Sequence, residues 1–172
     1  LRKLQTFVKN KFHSNLPKNF EKQSLVVVCF HGHTNSAKGA AKWPIRTCFK
    51  NASFLRLNAP YHYGDEKDSY EWFPYAVDES ARPRSERENL KGSDLKNYMR
   101  VLNLEARTNR PDKFDMTLKD VVQLFELLAL FGKKVFFVGS SQGGVVSLTA
   151  AIRIIAAGGK HAKQMVGNFS HR

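Results

Sequence analysis

The residues best suited to chemistry are Gly139-Ser140-Ser141-Gln142-Gly143. A serine that attacks a carbonyl must be exposed and rigidly held near a base. A sharp turn from a strand into a helix does both, at the cost of strain at the serine. Gly139 and Gly143 suit such a turn because a Cβ at either place would collide with it. A helix opening at Gln142 would aim unpaired N–H groups and its positive end at the reacting oxygen. Ser141 is therefore the candidate nucleophile. The five residues alone read equally well as a Gly/Ser-rich turn, and the flanks favour the first reading. Lys134 to Val138 has the β-branched and aromatic character of a buried strand, and Val145 to Ala157 is apolar almost all round, as a helix packed on a sheet is.

Acyl transfer also needs two N–H donors for the developing oxyanion. One comes from the residue after the nucleophile, here Gln142. The other usually comes from a loop after an early strand. Leu25 to Phe30 is a continuous apolar run that ends in His31-Gly32-His33, so the backbone N–H of His33 is the candidate second donor. Histidines two apart on an extended chain point to opposite sides, which disfavours chelation by this pair. Neither is placed to be the base, which normally follows the serine in chain order.

Phe30-His31-Gly32-His33, Leu57-Asn58-Ala59-Pro60, Glu71-Trp72-Phe73 and Gly139-Ser140-Ser141-Gln142-Gly143-Gly144 occur in that order. Together they resemble the phospholipase/carboxylesterase family of α/β-hydrolases, which includes the acyl-protein thioesterases. The resemblance covers roughly residues 25–170. It implies a serine hydrolase of carboxylic esters or thioesters that needs no cofactor and no metal. In that family the strand-end Ala-Pro and Trp-Phe segments help line the acyl pocket. The resemblance therefore places Trp72 and Phe73 there, with ordinary core aromatics as the alternative.

The family completes its triad with an Asp and a His on later loops. Here 31 residues follow Ser141 and hold no Asp or Glu, only His161 and His171. Neither histidine has the expected position, and the first residue is Leu. The expectation is a single incomplete domain over 1–172, cut at both ends and with negligible esterase activity by itself. The rivals are a carboxylesterase or dienelactone-hydrolase-like enzyme on small esters, and a non-catalytic interaction protein on a hydrolase fold.

The elements that would position these residues alternate. Strands are expected near 25–30, 53–57 and 134–138, with a further one at 164–169. Helices are expected near 37–49, 116–131 and 143–157. Strands alternating with helices predict an α/β fold, a mostly parallel sheet with helices on both faces. Thr117-Leu118-Lys119-Asp120 resembles a capping box opening the 116–131 helix, and Gly132 suits its end. A charged insertion over about 81–112, with an amphipathic stretch from Leu95 to Leu104, reads as a lid or as a surface elaboration.

Hydrophobic content of 42% supports a core, and no apolar run reaches the length of a membrane span. There is no phosphate-cradling glycine loop. Leu1 to Asn15 lacks the apolar stretch of a secretion signal. Cys29 and Cys48 read as buried free thiols of a reducing compartment, hence a cytoplasmic protein. Net charge is +13, and residues 1–60 hold eleven Lys or Arg against one acid, Glu21. A solvated basic face and transient contact with an anionic membrane surface both fit this imbalance. Nucleic acid is not expected, because no aromatic stacking residues are interleaved with the bases.

Overall fold

The structure, a computed structural model, describes residues 1–63, 68–74, 90–95, 97–98 and 111–158. Its centre is a parallel three-stranded sheet in the order β2-β1-β5. The strands are β1 (Leu25–Phe30), β2 (Ala52–Leu57) and β5 (Lys134–Gly139). A two-stranded antiparallel ribbon, β3 (Tyr61–His62) with β4 (Tyr70–Glu71), follows β2. The helices are α1 (Arg2–Phe12), α2 (Ala37–Ala40), α3 (Pro111–Leu130) and α4 (Gln142–Ala156), with a 3₁₀ turn at Pro44–Thr47.

β1 is the central strand, paired at both edges, and apolar layers cover both of its faces, so Val26 to Phe30 are fully buried. This is why its sequence reads as a continuous apolar run rather than an alternation. Register pairs Val28 with Leu55 and Phe137, which share one face of the sheet. On that face Phe12 of α1 packs on Trp72, Trp72 on Phe30, Phe30 on Phe137, and Phe137 edge-on to Phe125 of α3. The other face carries Val27, Cys29, Ala52, Phe54, Phe136 and Val138, covered by Ala40, Trp43, Ile45 and Phe49. The two faces thus carry separate apolar layers, the expected way to bury a parallel sheet.

Several boundaries differ from the sequence reading, each for a local reason. The single helix expected over 37–49 is broken into α2 and the 3₁₀ turn. Pro44 has no N–H and forces Trp43 out of the helical region, to φ −67°, ψ 139°. Ile45 and Phe49 take the inward positions of that segment, so Cys48 is exposed rather than buried. α3 begins at Pro111, with Asp112 in its first turn, and not at Thr117. The Thr117 hydroxyl caps nothing and instead donates to the carbonyl of Trp72 (2.7 Å). α1 was not expected, although Leu4, Val8 and Phe12, four apart, form its buried stripe. The segment 164–169, most of the stretch from Leu95 to Leu104 and most of the charged insertion lie outside the described residues; 92–95 and 97–98 are helical.

Contacts divide the chain into two compact units, Leu1–Trp72 with Thr117–Arg172, and Phe73–Met116. In the second, Phe73 is buried and meets Phe114 edge-on at 5.0 Å. Among the described residues no helix is long and apolar enough to cross a membrane.

Candidate active site

β5 runs into α4 through Ser140 and Ser141, and the turn is as tight as side-chain sterics permit. Ser141 has φ 51°, ψ −123°, a conformation that favours glycine. A Cβ on Gly139 would overlap the backbone of Gly143, and one on Gly143 would overlap the carbonyls of Phe30 and His31. These two glycines let α4 sit directly against the ends of β5 and β1. The Ser141 side chain is exposed and does not cap α4. Its hydroxyl is not spent on the helix, and no acid in the first turn opposes the positive end of α4.

The loop after β1 lies at the same end of the sheet. A Cβ built on Gly32 would stand 3.4 Å from the Ser141 Cβ, so Gly32 presents bare backbone to the serine. Ser140 N–H donates to the Phe30 carbonyl (3.1 Å), which ties the two strand ends together. His33 follows Gly32, its ring edge-on to Tyr63 and its Nε2 3.4 Å from Glu71 Oε2. The structure thus joins segments that are far apart in sequence: 31–33, Tyr63 with 70–72, and 139–142.

The fourth motif segment is joined through His31. Its ring is fully buried, its Nε2 accepts from the Ala59 N–H (3.0 Å), and its Nδ1 meets the Gly32 carbonyl at 2.7 Å. Accepting at Nε2 and donating from Nδ1 describes a neutral ring. Burial pushes its pKa down to about 4; the Gly32 hydrogen bond raises it and the neighbouring His33 lowers it. The His31 carbonyl accepts from the Trp72 indole N–H (2.7 Å), and the Trp72 backbone N–H donates to the Gln142 side-chain oxygen (2.7 Å). Asn58 accepts from Ala37 N–H at the start of α2 (2.7 Å) and gives its own N–H to Ser14 Oγ (2.8 Å).

Sequence reasoning marked His31, Asn58, Trp72 and Gln142 by motif but did not see this network. Trp72 has no exposed surface, and its indole N–H is engaged by the His31 carbonyl. Gln142 entered as a backbone donor, and its buried side chain turns out to hold Trp72 as well. Glu71 entered only as a member of the Glu71-Trp72-Phe73 motif, with no role, and the structure sets it beside His33. His161 and His171 lie outside the described residues.

No protein-family model and no curated protein matches this sequence. Among solved structures the chain is similar to one described as the crystal structure of esterase PE8. The TM-score is 0.51 at 20% identity, covering 76% of this chain and 52% of the other. The chain thus spans about half the length of that structure. The likeness, together with the parallel sheet and its helices, shows a partial α/β-hydrolase fold.

Proposed function

We propose that the protein is a serine hydrolase that cleaves carboxylic esters or thioesters through an acyl-enzyme on Ser141, of the acyl-protein thioesterase, lysophospholipase or carboxylesterase type. The observation that carries this reading is Ser141 itself, held at φ 51° at a strand end with the bare backbone of Gly32 against it. Natural chains keep such strain mainly where a site needs it. In this reading the Ser141 Oγ attacks the acyl carbonyl and its proton passes to a histidine base. The backbone N–H groups of Gln142 and His33 hold the oxyanion, and the alkoxide or thiolate departs with the proton. Water then hydrolyses the acyl-serine. Trp72 and Phe73 belong to the acyl pocket in this proposal, Trp72 as the buried support behind its wall. The esterase likeness agrees with the ester-cleaving class.

The test is labelling with a fluorophosphonate probe in the protein that carries this chain. Mass spectrometry should place one adduct on Ser141, and Ser141→Ala should abolish it. Labelling that persists in the mutant would refute the assignment. A well-folded protein that never labels would favour a non-catalytic interaction protein instead.

A further inference from the structure

Four cations from the basic first third of the chain converge on one cleft beside β2. The cleft has a volume of about 520 Å³ and is lined by residues that include Lys18, Asn19, Arg46, Lys50, Phe54 and Arg56, with no acidic residue among the described residues of its wall. Its size is that of a small-molecule site. The guanidinium carbons of Arg46 and Arg56 lie 5.7 and 5.6 Å from the centre of the Phe54 ring, so two like charges share one aromatic side chain. Arg56 stands in register with the buried Cys29, and its Nε is buried with no hydrogen-bond partner among the described residues. Burial, and then the charge of Arg46, hold the Arg56 pKa down, so its surroundings oppose the charge it carries.

The frame around these cations is fixed. Ser53 Oγ is 3.1 Å from both the carbonyl and the side-chain oxygen of Asn19, which clamps the loop carrying Lys18 onto β2. Ile45 and Phe49 are packed into the apolar layer under the sheet, and Arg46 and Lys50, one residue further on, remain exposed. A solvated basic face would scatter its charges, whereas this one gathers them on ordered backbone. Converging like charges repel, and a bound anion relieves that repulsion while offering an acceptor to the Arg56 guanidinium. Two guanidinium forks and two ammonium groups match a doubly charged, tetrahedral oxyanion better than a single carboxylate.

We propose that this cleft binds a phosphate group, carried as the dianion of a phosphate monoester. It uses no residue of the Ser141 site and does not depend on the hydrolase reading. The test is calorimetric titration with inorganic phosphate at constant ionic strength, with acetate as the singly charged control. Phosphate should bind and acetate should not. The double variant Arg46→Gln/Arg56→Gln should weaken phosphate binding about tenfold or more. Lys18→Gln/Lys50→Gln, which alters only exposed side chains, should weaken it severalfold without touching the fold. Lys3→Gln/Lys9→Gln, an equal charge change on α1, should leave it intact. Vesicles of phosphatidylcholine with a minor share of phosphatidic acid separate the sources. Co-sedimentation lost in the cleft variants assigns the phosphate to a lipid headgroup; phosphate binding without vesicle binding assigns it to a soluble monoester. Failure of phosphate to bind the wild type, or a response equal in wild type and Lys18→Gln/Lys50→Gln, would overturn the proposal.

Discussion

Ser141 occupies a conformation that costs a non-glycine residue about 1–3 kcal/mol. The strain is local, so it can be measured by comparing two small substitutions. Ser141→Ala keeps the Cβ and therefore the strain. Ser141→Gly removes both, offset in part by the extra freedom glycine has in the unfolded chain. Ser141→Gly should therefore be more stable than Ser141→Ala by about 1 kcal/mol in urea unfolding, and neither should react with a fluorophosphonate. Equal stabilities would mean that the turn holds no strain. Gly32 is the counterpart of Ser141 across the site, and its value is absence, since any side chain there would stand over the serine.

At the scale of elements, α4 is seated by two adjacent glycines with different tasks. A Cβ on Gly143 would overlap the Phe30 and His31 carbonyls, whereas one on Gly144 would lie 3.4 Å from the Gly139 carbonyl oxygen, an ordinary contact. Gly143→Ala should therefore lower the unfolding free energy by about 2 kcal/mol or more, because backbone must move. Gly144→Ala should be neutral or gain up to about 1 kcal/mol from helix propensity. Thermal unfolding of the two variants side by side decides this, and matched losses would refute the seating argument. The end of α3 is set just as specifically. Gly132 turns the chain at φ 68°, and Lys133, though charged, is buried. Its ammonium donates to the carbonyls of Phe20, Glu21 and Gln23 (2.8, 3.2 and 2.8 Å), which accounts for all three of its protons.

At the scale of the molecule, His31 couples the ends of β1 and β2 to Trp72 and, through Trp72, to the elbow. Its folded pKa of about 4 lies below the unfolded value near 6.5. Between these values the unfolded chain binds the proton more readily, so stability is fully present above about pH 6.5 and is lost as pH falls toward 4. The loss is on the order of 3 kcal/mol. Urea midpoints from pH 7.5 to pH 4 should fall across this window, and His31→Gln, less stable at neutral pH, should flatten the fall. An unchanged slope in the mutant would assign the acid sensitivity to other groups.

The sequence by itself determined what depends on neighbours along the chain. The continuous apolar run at 25–30 marked a strand covered on both faces, and it is the centre of the sheet. The glycines around Ser141 marked a strained strand-to-helix turn, because only local sterics are involved, and the turn is present. Gly132 marked a helix end for the same reason. Local signals misled where a distant partner was needed. Thr117 has the look of a helix cap, yet its hydroxyl belongs to the carbonyl of Trp72, 45 residues away. Only the tertiary structure decided that His31 is a buried neutral ring, that the Gln142 side chain holds Trp72, and that Arg56 lies beside Cys29 and shares the Phe54 ring with Arg46. These are hydrogen bonds and charge encounters between segments that parallel strands bring side by side, and no periodicity along the chain encodes which polar group meets which.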